Sequence, residues 1–218
     1  MMQVYQRLLN SFGPQHWWPG ESQFEIVVGA VLVQNTAWRN VERAIDNLRD
    51  AGVMEPRQLY AVPEQELAEL IRPAGYFQVK AHRLRNLLKL IVETYDGSLE
   101  AMFRTDLATL REQLLCVSGV GPETADAILL YAGQLPTFVV DTYTHRILAR
   151  HGWIGYDAGY HETKEYFEAR LPADAALYNE YHALLVRLGK DYCRKTGPKC
   201  ETCPLVDLLP ASGIVEPF

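Results

Sequence analysis

No apolar run in this sequence approaches the roughly 20 residues needed to span a bilayer, which excludes a helical membrane protein. The opening stretch MMQVYQRLLNSF also lacks the apolar core and cleavage site of a secretory signal, so a cytosolic location is expected. Basic residues are in the minority: 21 Lys and Arg against 27 Asp and Glu leave a formal net charge of -6. Phosphate binding normally shows as a basic excess, so any contact with nucleic acid has to rest on local groups. Cysteine is scarce as well, with four in the chain and three of them bunched between residues 193 and 203. A disulfide framework is therefore less expected than metal binding or free thiols in a reducing compartment. Strand signals are nearly missing. Only Thr137 to Val140, in PTFVVD, reads as extended, and four residues without a pairing partner are the approach to a helix rather than a sheet.

Helical spacing fills the remainder. Phe24, Val27, Val28 and Val31 fall at i, i+3, i+4 and i+7, and the pattern returns at Val41, Ala44, Ile45, Leu48 and at Leu84, Leu87, Leu88, Ile91. Further helices are marked by Leu107, Leu110, Leu114, by Ala125, Ile128, Leu129, Ala132, and by Leu177, Tyr181, Leu184, Leu188. Proline and glycine serve as turn punctuation at Gly13-Pro14, Pro19-Gly20, Pro73 to Gly75 and Gly119 to Pro122. With 218 residues, 48% of them hydrophobic, the chain can bury a sizeable all-helical core as one body or two small lobes. After Gly189 the periodicity stops, and a tail rich in Cys, Lys and Pro must be held by something other than a large core.

The stretch VSGVGPETADAILLYAG carries the first chemical signal. A helix ends near Leu115, Ser118 to Gly121 turns sharply, and Pro122 stands where its missing N–H would have no partner in any case. Two glycines allow positive φ and a close backbone approach, and N–H groups beside a helix start form an anion site suited to a phosphate. A plain αα-corner would ask for the same glycines. About twenty residues further on stands VVDTYTHRI, with Asp141 at the N-cap of the next helix.

The pairing of this hairpin with the VD element resembles the helix-hairpin-helix DNA glycosylases of the endonuclease III superfamily. The resemblance extends over most of the chain, through FEIVVGAVLVQNT near the start and the cysteines near the end. It implies an all-α fold of two lobes. A six-helix barrel with the hairpin is expected over residues 23–134, and a second lobe from residues 1–22 and 135–218 with the cysteine loop. It also implies that a monomer acts on double-stranded DNA carrying a damaged base, in the cytoplasm at the nucleoid.

In that superfamily a lysine at the position of Glu123 attacks the sugar through a Schiff base and leads to strand cleavage. A glutamate forms no imine, so Glu123 implies a monofunctional enzyme, beside a first-turn role against the helix dipole. Asp141 becomes the catalytic candidate, a carboxylate able to stabilise an oxocarbenium-like state and to orient water. Gly119, Gly121 and Thr124 of the hairpin are implied DNA contacts. Gln34 corresponds to a residue that fills the space of the extruded nucleotide, Tyr76 to a second wedge, and Lys80 to a phosphate contact.

The run WWP, GAVLVQNT followed by an aromatic, RPAGYFQVKAHRL and GVGPETADAIL is similar to the bacterial 3-methyladenine DNA glycosylases of this superfamily. So is Tyr143 two residues after Asp141, where other branches carry histidine. This implies Trp17, Trp18, Pro19 and Trp38 around the base, since π faces attract a cationic alkylated purine. The implied reaction is hydrolysis of the N-glycosidic bond of 3-methyladenine in base excision repair. A glycosylase for another damaged or mismatched base, and a non-catalytic DNA-binding module, are the competing readings. Cys193-x6-Cys200-x2-Cys203 resembles the iron–sulfur loop of endonuclease III, but the position of the fourth cysteine holds Leu209. A 4Fe-4S cluster with one other ligand, a zinc site completed by Asp207 or a histidine, and a loop without metal all remain open.

Overall fold

The computed structural model describes residues 1–216, and among them it contains helices and no strand. Thr137 to Val140 joins no sheet among the described residues; its Phe138 N–H donates to the Glu168 carboxylate at 2.8 Å, and the segment leads into a helix. Two compact units form. One comprises Met1–Trp18 and the chain from Pro136 onward, the other Pro19–Leu135.

Within Pro19–Leu135 the helices are α2 (Gln23–Leu32), α3 (Trp38–Asp50), α4 (Pro56–Ala61), α5 (Glu64–Leu70), α6 (Phe77–Lys89), α7 (Leu99–Phe103), α8 (Leu107–Leu115) and α9 (Pro122–Ala127). Local chemistry sets their starts. Ser22 caps α2 by accepting from the Glu25 N–H, Asp106 caps α8 through Thr109, and Pro122 opens α9 directly after Gly121. Both α6 and α9 run on into a π-helical turn, at Leu90–Thr94 and Ile128–Ala132. The α2 helix is the central strut. It packs on α3, α6, α9 and the Ile128–Ala132 turn, and so is apolar on nearly every face, with Val27, Val28, Val31 and Leu32 fully buried. Each such side chain contributes about 1.5–3 kcal/mol relative to exposure.

The other unit holds α1 (Met2–Phe12), α10 (Thr142–Arg150), α11 (Tyr160–Glu168) and α12 (Ala175–Asp191). Its core is aromatic: Phe138 stacks on Phe167 at 4.0 Å and meets Tyr178 and Tyr181 edge-on. The 17-residue α12 packs against both α1 and α10. Where it meets α10, Gly189 leaves room for the Tyr143 ring, which a Cβ there would strike. The Arg146 guanidinium covers the same ring at 5.0 Å.

Candidate active site

The hairpin is fastened to its own unit at three points. Gly119 has φ +95°, a left-handed conformation, and a Cβ at that position would fall on the Arg83 side chain. Arg83 in turn donates to Gln34 Oε1 at 2.5 Å, while Gln34 Nε2 donates to Thr124 Oγ1 at 2.9 Å and to the Gly119 carbonyl at 3.3 Å. Asn86 Nδ2 holds the Ser118 carbonyl at 3.1 Å. Gln34, Gly119 and Thr124, named separately from the sequence, therefore form one hydrogen-bonded group. Thr124 is buried, and its hydroxyl serves Gln34. Glu123 is exposed in the first turn of α9, and Gly121 is the N-cap of that helix. Behind the hairpin the Arg111 guanidinium makes a two-pronged contact to the fully buried Asp126 carboxylate at 2.8 and 3.1 Å, tying α8 to α9.

Tyr76 and Lys80 diverge. Tyr76 is 73% exposed at φ 46°, just before α6. Lys80, one turn later, is 1% exposed, and its Nζ donates to the Leu32 and Ala74 carbonyls at 2.8 and 2.7 Å. Burial pushes its pKa down to about 8, helped by the nearby Arg83 charge. This corrects the expectation of a phosphate contact: the ammonium caps the C-terminal end of α2 from inside. A signal was present, because Lys80 stands on the same helical stripe as Leu84, Leu87 and Leu88.

Asp141 caps α10, its Oδ1 accepting from the Thr144 N–H at 2.7 Å. Its Oδ2 lies 3.8 Å from Nε2 of His182, a buried residue of α12. Burial pushes the His182 imidazole down and the Asp141 carboxylate opposes that shift. The cap locks the carboxylate's direction. His182 was missed in the sequence, although it shares a buried stripe with Tyr178 and Leu185. Trp17 and Trp18 are half-buried in this same unit and meet edge-on at 5.4 Å. Pro19 and Trp38 belong to the other unit, where they line one open cleft with Glu21, Glu25, Arg39 and Arg49.

Cys193, Cys200 and Cys203 line a single cavity together with Arg150, His151 and Leu209. Two arginines of α10 hold this loop. Arg146 Nε donates to the Cys193 carbonyl at 2.8 Å, and Arg150 donates to the Arg194 and Lys195 carbonyls at 2.6 and 3.1 Å. Arg150 is itself buried and also lies 3.6 Å from the Cys193 sulfur. Burial raises the Cys200 and Cys203 thiols. Among the described residues no group of three or more His, Cys, Asp or Glu side chains is arranged to hold a metal ion. Asp207 is turned away, 3.5 Å from Arg7 on the surface. Cys116, the fourth cysteine of the chain, is exposed.

Comparison with known proteins places these features in a common setting. Residues 28–173 match the family model described as HhH-GPD superfamily base excision DNA repair protein. A protein of Methanocaldococcus jannaschii, described provisionally as a DNA repair glycosylase, is 51% identical over 204 residues, covering 93% of this chain and 92% of the relative. Among solved structures, a 3-methyladenine DNA glycosylase of H. pylori bound to 1,N6-ethenoadenine is 30% identical, with a TM-score of 0.75 over 86% of this chain and 96% of that one. A non-covalent endonuclease III–DNA complex has the same fold at 23% identity, with a TM-score of 0.81 over 95% of this chain and 92% of that one. Among the described residues no helix is long and apolar enough to cross a membrane.

Proposed function

Since this chain belongs to the HhH-GPD superfamily of base excision DNA repair proteins and is one of its DNA glycosylases, we propose that it releases alkylated purines, chiefly 3-methyladenine, by hydrolysis and leaves the strand uncut. The observation that carries the chemistry is the Asp141 carboxylate, held at the start of α10 by the Thr144 N–H with its second oxygen beside His182. As the C1′–N bond breaks, positive charge develops on the sugar, and a preorganised carboxylate stabilises it without reorganising. The same oxygen orients the water that adds to C1′ and accepts its proton. A cationic methylated purine needs no prior protonation to leave, so one carboxylate suffices. Trp17 and Trp18, in the same unit as Asp141, supply π faces for such a base, and the 30% identity to the H. pylori enzyme supports this choice of substrate.

The monofunctional reading rests on amines. A lyase needs a lysine at the sugar, and Glu123 stands at the hairpin position. The only lysines between residues 19 and 135 are Lys80 and Lys89. Lys80 is engaged under main-chain carbonyls, and Lys89 is exposed beside Glu93. DNA contacts are assigned to the backbone N–H groups around Gly119 and Gly121, with Tyr76 and Gln34 entering the duplex. For Gln34 this requires release from Arg83 and Thr124.

Cys193, Cys200 and Cys203 are assigned to a 4Fe-4S cluster. Three thiols on one cavity, with the Arg150 guanidinium against the Cys193 sulfur, suit anionic sulfur ligands. When bound, the cluster orders the loop, and it takes no part in base release. The test of the reaction is release of free base from methylated duplex DNA, followed by chromatography, with the strand checked for nicks before and after alkali. Free 3-methyladenine with breaks only after alkali is the expected result. Release of a different lesion alone would overturn the substrate, and nicks without alkali would overturn the monofunctional reading.

A further inference from the structure

Cys193, Cys200 and Cys203 line one small cavity that is partly open to solvent. Leu209, at the position where the sequence lacks a fourth cysteine, lines it with carbon only. His151 lines it too. This residue directly follows α10, is 6% exposed, and has its ring stacked on Trp153 at 4.5 Å. Its Nδ1 lies 2.7 Å from the Ile147 carbonyl. A carbonyl can only accept, so Nδ1 carries the proton of the neutral ring and Nε2 carries the lone pair. That Nε2 is fully buried and has no hydrogen bond of good geometry among the described residues, while the Leu205 backbone still acts on the ring as a hydrogen-bond acceptor. A histidine with one N–H fixed on a backbone carbonyl and a buried second nitrogen, lining the same cavity as three cysteines, can offer that nitrogen to a metal.

We propose that His151 Nε2 is the fourth protein ligand of an iron–sulfur cluster held by Cys193, Cys200 and Cys203, in place of the thiolate that Leu209 cannot supply. This inference rests on the assignment of a cluster to those three cysteines. A single zinc ion draws its ligands to about 2.0–2.3 Å, so four ligands of one ion crowd around a point. Here four side chains of ligand type border one cavity. Exchange of a thiolate for a neutral imidazole removes one negative charge from the site, and the neighbouring Arg150 guanidinium acts in the same direction. Both raise the reduction potential relative to a four-cysteine cluster.

The experiment uses the full chain, purified without oxygen and reconstituted with iron and sulfide. Iron and acid-labile sulfide are counted per chain, and the reduced protein is examined by pulsed electron paramagnetic resonance. The expected result is about four irons per chain, with a strong nitrogen-14 coupling that disappears in His151→Ala and in His151→Cys. The cysteine variant is expected to keep its cluster through a thiolate and to show a lower potential, which covers the case in which the alanine variant fails to fold. A loaded wild-type protein without the nitrogen coupling, or one whose spectrum is unchanged in His151→Cys, overturns His151 as a ligand while leaving the cluster assignment intact. A folded wild-type protein that takes up no iron, or binds zinc alone, overturns both. Leu209→Cys is the control for that outcome, since its loading establishes that the loop is competent and the donor set is what differs.

Discussion

Replacing Lys80 with methionine separates two roles for a residue that looks, in the sequence, like a phosphate contact. In the structure the ammonium is 1% exposed and satisfies the Leu32 and Ala74 carbonyls. Its pKa falls from 10.5 to about 8. Each tenfold weakening of proton binding corresponds to roughly 1.4 kcal/mol, so holding the charge inside at pH 7 costs about 3 kcal/mol. Lys80→Met removes that cost but strips two buried carbonyls of their donors, at about 1–3 kcal/mol each. The net at pH 7 therefore lies between about 1 kcal/mol of stabilisation and about 3 kcal/mol of destabilisation. The pH dependence is the sharper signature. The folded pKa is depressed, so between about 8 and 10.5 the unfolded chain holds a proton that the folded chain has lost. Stability of the wild-type protein rises with pH across that window and is lost as pH falls back through about 8. The variant lacks the effect, so the stability difference in favour of wild type should widen by about 2–3 kcal/mol from pH 7 to pH 10. Urea unfolding of both proteins at each pH measures it, since the difference cancels every other titrating group. A constant difference, together with a salt dependence of DNA binding weakened by about one counterion, would refute the buried-cap account and return Lys80 to a phosphate.

Asp141→Asn should keep the α10 cap, with stability changed by less than about 1 kcal/mol, and lower base release by at least about 10²–10³-fold with DNA binding retained; single-turnover kinetics and thermal unfolding decide it. Gly119→Ala forces a side chain into a left-handed turn and against Arg83, so duplex affinity should fall by about tenfold or more, measured by fluorescence anisotropy, at a strain of about 1–2 kcal/mol. Burial holds the His182 imidazole below its ordinary pKa of 6.5. A depressed folded value means that the unfolded chain takes up more protons, so stability is present above about 6.5 and declines as pH falls. His182→Gln should flatten part of that decline in thermal melts between pH 7 and 5.

Much of the local architecture was legible in the residues. The apolar spacing of Val27, Val28 and Val31 marks a helix buried on nearly all sides, and Asp141 caps α10 through an N–H three residues away. The Gly-Val-Gly-Pro turn announces its own geometry, since only glycine takes the φ of +95° found at Gly119. These features are written in the sequence because their causes act within one or two helical turns. Polar residues on buried stripes were harder to read. Lys80 and His182 each interrupt an apolar pattern, but periodicity does not say which partner satisfies an interior polar group.

The sequence by itself determined an all-helical chain, the hairpin, the capped aspartate and a cysteine set one thiolate short. Tertiary packing alone decided that Gln34 bonds to Thr124 across 90 residues, that Arg146 and Arg150 of α10 carry the cysteine loop, and that His151 shares its cavity. The physical reason is range. Dihedral preference, capping and periodicity are properties of neighbours along the chain, whereas the partner of a buried donor or lone pair is chosen by which helices pack together, and no local spacing encodes that choice.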